Sequence, residues 1–155
     1  MRQRGFTIME LIVVMTLIGL LAVTAMPRLN GLLGMRSDIW RDELLAALRE
    51  ARASAIGHRR LVCVDVSTSS VSLRIASANP ASSCNAALQG PDGDSVYARS
   101  ADAGVGTTVA PAGTLYFQPS GQISSDGAGL SPANRSIAVA DLAPIVVVGL
   151  TGYVH

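Results

Sequence analysis

Residues 6–26 carry a single charge, Glu10, directly after a leader containing Arg2 and Arg4. A helix of about 21 residues spans roughly 30 Å at 1.5 Å per residue, which matches the hydrocarbon core of a bilayer. A carboxylate facing lipid near the start of such a span costs on the order of 2–3 kcal/mol. Glu10 therefore needs a compensating partner. The short basic segment ahead of the run predicts a cytoplasmic amino terminus and an exported remainder. Two plainer readings exist: a secretory signal cut after Val23-Thr24-Ala25, or an ordinary single-span anchor. Glu10 counts against both, because an acid inside the apolar run opposes export and does nothing for a discarded peptide.

The run Gly5-Phe6-Thr7-Ile8-Met9-Glu10-Leu11 resembles the class III signal of type IV pilins and of the pseudopilins of type II secretion. The resemblance implies cleavage by a prepilin peptidase between Gly5 and Phe6 and N-methylation of Phe6. It also implies that Glu10 is kept for assembly. Pro27 adds to it, since many pilins carry a proline at that distance from the cut. In a growing filament the Glu10 carboxylate would pair with the Phe6 amine of a neighbouring subunit, with apolar packing supplying most of the adhesion. Breaking such a pair by removing one partner costs about 3–5 kcal/mol in a dry site. The partners implied are other pilin or pseudopilin subunits, the prepilin peptidase and the inner membrane.

Length and charge bound the remainder. The 155 residues less the span leave enough chain for one small domain with its own core. All twelve basic residues are arginine. Without the leader, ten arginines face eleven acids, and residues 57–155 carry five arginines against six acids. A near-neutral head gives no electrostatic case for nucleic acid or anionic lipid. In an oxidising compartment, Cys63 in an apolar stretch and Cys84 in a Ser/Asn/Ala-rich loop form a candidate disulfide, worth about 3 kcal/mol by chain entropy. The alternative is two unpaired cysteines, one simply buried. No metal and no cofactor are expected: His58 and His155 are far apart, and no CxxC or HxxxH spacing occurs. Pro91-Asp92-Gly93-Asp94 reads as a turn rather than a calcium loop.

The chain divides into a leader (1–5), a span (6–26), a kink and amphipathic helix (27–56) and a β-rich periplasmic head (57–155). Residues 27–35 include Asn30-Gly31-Leu32-Leu33-Gly34, poor in helix propensity, and read as a kink or a segment that unwinds on packing. A second helix then starts at an N-cap, Ser37 or Asp38, and stops at Gly57. Trp40, Leu44, Leu48, Ala51 and Ala55 form an apolar stripe, widened by Leu45 and Ile56, that packs on the head's sheet. The opposite face carries Asp42, Glu43, Arg49 and Glu50. Strand signals follow at 61–66, 70–75, 114–117, 122–124, 136–140 and 145–149. Residues 76–112, between the second and third of these, read as a long surface loop.

Three further segments resemble the GspH/FimT-type minor pilins and pseudopilins. They are the helix end carrying Leu44, Ala47, Leu48, Ala51, Arg52, Ala55 and Ile56, the turn Phe117-Gln118-Pro119-Ser120-Gly121, and the run Ile145-Val146-Val147-Val148-Gly149-Leu150-Thr151-Gly152. Some FimT-type members continue with Gly-Arg-x-Arg, which implies contact with DNA. Here Gly152 is followed by Tyr153-Val154-His155, with neither arginine. Tyr153 could stack on a base but neutralises no phosphate. Arg99 and Arg135 are the remaining candidates for a basic cluster with His155. No catalytic residues are expected, since two distant histidines and no phosphate loop give no enzyme logic. The fold expected is α+β and type IV pilin-like, a long N-terminal helix packed on a small antiparallel sheet. The function expected is a minor pilin or pseudopilin of a type IV pilus or type II secretion system, with a DNA-binding or adhesive tip subunit as the alternative.

Overall fold

The computed structural model describes residues 7–101 and 105–155, with the backbone alone over 22–34. Contacts divide the chain into two units, Met1–Met35 and Arg36–His155. Helix α1 is assigned from Ile8 to His58. Its backbone is helical through 27–35, so the segment expected to kink or unwind is not unwound, and Ser37 and Asp38 lie inside it rather than capping a second helix. Interrupting a helix strands about four amides and four carbonyls at the new ends and requires a second costly nucleation. Continuing through one proline and two glycines sacrifices one hydrogen bond and some propensity.

The true cap is Thr7. Its Oγ1 accepts from the Glu10 amide at 3.3 Å, and its carbonyl accepts from the Glu10 and Leu11 amides. Thr7-x-x-Glu10 has the spacing of a capping box. At the far end, Arg60 N–H donates to Ala55 O and Arg59 N–H to Ile56 O, the paired bonds of a Schellman stop. Arg59 takes the left-handed conformation (φ 53°) usually given to glycine. Gly57, the expected stop, sits within the last turn.

In the second unit, residues 40–55 of α1 bury Trp40, Leu44, Leu45, Ala47, Leu48, Ala51 and Ala55. Ile56, expected to widen this stripe, is 42% exposed. The head is two antiparallel sheets rather than one. The first has the order β3-β2-β1-β6-β7, built from Val62–Val66 (β1), Ser70–Ile75 (β2), Ala86–Leu88 (β3), Leu115–Phe117 (β6) and Ile123–Ser124 (β7). Ala98–Arg99 (β4) pairs with the start of β2. The second sheet has the order β5-β8-β9, from Thr107–Ala110 (β5), Arg135–Val139 (β8) and Ile145–Val147 (β9). Both sheets contribute to one core with the helix stripe, through Val62, Val64, Val71, Leu73, Leu115 and Phe117 on one side and Ile137, Val139, Ile145 and Val147 on the other.

The stretch 76–112, expected as a loop, contains β3, β4 and β5. Strand β2 offers its outer edge to the first two, and β8 recruits the third, with Thr107 paired to Val139. Cys63 faces away from α1 in a small second cluster with Leu61 and Ala76. There it is joined to Cys84 by a disulfide with Cα atoms 6.0 Å apart. That link ties the 77–85 segment over the far face of the first sheet, which explains why β1 buries residues on both faces.

Candidate functional site

Residues 8–21 of α1 are exposed on every side. They include Ile8, Met9, Leu11, Ile12, Val13, Val14, Met15, Leu17, Ile18, Leu20 and Leu21. A helix apolar all round is stable in water only when something covers it. Its polar groups are managed in a way that suits apolar surroundings. Thr16 Oγ1 donates back to Ile12 O and Val13 O at 3.1 and 2.9 Å, so the hydroxyl is satisfied within the helix. Glu10 lies in the first turn, where the positive end of the helix dipole favours an anion. Its carboxylate makes no hydrogen bond or ion pair among the described residues, which leaves it available to a cation from outside.

Gly5 and Phe6, the expected cleavage and methylation positions, lie outside the described residues. Among the described residues no helix is long and apolar enough to cross a membrane. The side chains of 22–26, which complete the expected span, fall outside that description.

The three head segments that carry the finer resemblance meet in space. Arg52 Nε donates to Thr151 O at 3.0 Å, and Ile123 N–H donates to Gly149 O. Gly121, at φ 87°, lies under Ile56, and a Cβ there would sit 2.9 Å from Ile56 Cδ1. A Cβ on Gly152 would collide with Gly121 O, so the 117–121 and 149–153 turns touch where only glycine fits. Gln118 is buried beside them, its Nε2 donating to Ser124 Oγ at 2.8 Å. The two candidates for a basic cluster with His155 are both engaged elsewhere. Arg99 sits 3.7 Å from Asp94, and Arg135 is buried with Nη1 donating to Pro111 O.

A groove of about 430 Å³ lies between α1 and residues 91–99, with Glu43, Asp92, Asp94 and Tyr97 among its lining. Burial, and then the charge of Asp92, hold the Glu43 carboxyl above its ordinary value. Backbone amides of Ser95 and Val96 hold Asp94 below its own. Burial raises the Tyr97 phenol, with Glu50 adding to it. No group of three His, Cys, Asp or Glu able to hold a metal occurs among the described residues.

Residues 1–26 match the prokaryotic N-terminal methylation motif. The match supports a type IV pilin-like protein, processed by a prepilin peptidase and assembled with other pilins. The α+β architecture, with an N-terminal helix and antiparallel sheets, is compatible with that class. No curated protein and no solved structure matches the chain.

Proposed function

We propose that the chain is a minor pilin or pseudopilin, anchored by residues 6–26 in the inner membrane with its head in the periplasm. On this reading its work is structural and not catalytic: it helps initiate or complete a filament of a type IV pilus or type II secretion system. The observation that carries the reading is the pairing of a motif-matched N-terminus with an apolar helix exposed all round. Such a surface suits lipid before assembly and neighbouring helices afterwards. On this reading Glu10, at the capped start of α1, meets the Phe6 amine of a neighbour. The GspH/FimT-type resemblance is supported by the contact between its head segments.

Mass and N-terminal sequence of the mature protein from host membranes test the reading directly. A chain starting at methylated Phe6 is expected; one starting near Met26, or an intact Met1, would overturn it. Glu10→Ala is expected to leave export and cleavage intact while lowering recovery in sheared filaments by an amount consistent with losing about 3–5 kcal/mol. Undiminished recovery would remove Glu10 from assembly.

A DNA-binding or adhesive tip subunit is the second reading. Tyr153 stacks on His155 at 5.6 Å close to Arg49 and Arg52, which favours it. Retardation of DNA that fades with salt would support that role.

A further inference from the structure

Arg49 and Arg52 of α1, with Tyr153 and Val154, line a hollow of about 230 Å³ in the head. Arg52 is held by its Nε bond to Thr151 O, which leaves its terminal nitrogens without a hydrogen bond among the described residues. Arg49 is exposed, and no described carboxylate pairs with either guanidinium. The wall opposite is rigid, because 153–155 is zipped to β9: Val146 and His155 exchange two backbone bonds, and Val148 N–H donates to Tyr153 O. Tyr153 stands 60% exposed with its ring stacked on His155. Two guanidiniums, one of them held, beside an aromatic wall are suited to a carboxylate presented on a small turn.

The head carries such a turn elsewhere. Pro91, Asp92, Gly93 and Asp94 are all exposed. The loop is closed by Gly93 N–H to Gly90 O and Gly90 N–H to Asp94 O, with Gly93 at φ 79°. Asp94 faces Arg99, whereas Asp92 has no cation among the described residues and instead lies close enough to Glu43 to oppose its ionisation. At about 100° per residue, Arg52 lies about 180° and Arg49 about 120° around α1 from Glu43. Hollow and turn therefore sit on different sides of the helix and are not paired within one head.

We infer that the Arg49/Arg52/Tyr153 hollow receives Asp92, on the 90–94 turn, of a second copy of this chain. The contact is heterologous, joining two different patches, so each added copy leaves one hollow and one turn free and the array stays open. Burying Asp92 against arginines also removes its repulsion of Glu43. A polyanion fits less well, because two arginines with Glu50 as neighbour offer a short phosphate track. The inference adds a head-to-head surface to the filament reading and rests on it only for the open array.

Full-length chains bearing Arg49→Cys and Asp92→Cys, coexpressed as separate copies and oxidised in membranes, test the contact. A mixed cross-link exceeding that of either variant alone is expected. Its absence from chains correctly starting at Phe6 overturns the contact and leaves the filament reading intact; chains starting elsewhere strike that reading instead. Charge exchange avoids new thiols: Arg49→Asp with Arg52→Asp, or Asp92→Arg, should each lower copurification of differently tagged copies several-fold. Mixing the two kinds should restore it. Failure to restore, or DNA retardation abolished by the arginine variants, overturns the assignment.

Discussion

Residues 8–21 and residues 40–55 belong to the same helix yet have opposite relations to solvent. The earlier stretch exposes apolar side chains in every direction, and Glu10 and Thr16 are its only polar groups beyond the cap. The later one alternates, with Trp40, Leu44, Leu48, Ala51 and Ala55 sealed against both sheets while Asp42, Arg49 and Glu50 meet water. The head thus draws its stability from inside the chain, and the N-terminal stretch must draw its own from what surrounds it. Helix propensity favours the later stretch, rich in Ala, Leu, Arg and Glu, over the Ile, Val, Thr and Gly of the earlier one, yet the pattern of apolar positions decides what each needs.

Four variants probe that contrast. Trp40→Ala should cost the head about 3–5 kcal/mol, measured by urea unfolding of the detergent-solubilised chain. Leu17→Ala should shift the same transition by less than about 0.5 kcal/mol. Equal losses at the two positions would erase the distinction. Cys63→Ser with Cys84→Ser opens a link across 21 positions of sequence and should lower head stability by about 3 kcal/mol. Loss of membrane extraction behaviour in that variant would show that the two stretches are not independent. The smallest effect belongs to Glu43→Gln. Because the folded Glu43 carboxyl is held above its ordinary value of 4.5, its contribution to stability is present below that pH and is lost as pH rises through the folded value. The variant should therefore be slightly more stable than wild type near pH 7. That gain should vanish on acidification below 4.5, and a gain that persists there would assign the effect to packing.

Much of the head was legible from local pattern. Val62–Val66 and Ser70–Ile75 follow the β-branched and alternating runs to within a residue, and the helix stripe follows its three- and four-residue spacing. What escaped depends on partners distant in sequence. Ala86–Leu88 has no strand signal of its own and pairs because the edge of β2 is open beside the disulfide-tied segment. Thr107–Ala110 is fixed by β8, roughly 30 residues later. Arg135 looks like a surface cation in sequence and is buried because alternate residues of β8 face the core. At the N-terminus the single charge drew attention to Glu10, while Thr7, three residues earlier, supplied the cap. Its signal was the short Thr-x-x-Glu spacing, overshadowed by the longer apolar pattern.

Trp40 is the only tryptophan in the chain, and its indole Nε1 donates to Thr107 Oγ1 at 2.9 Å inside the core. The protein therefore carries an intrinsic optical reporter at the seam between α1 and the second sheet. Its emission should be blue in the native head and move red once water reaches that seam. Peeling of the helix from β5 could then be followed in the intact chain without a label, separately from any event along residues 8–21.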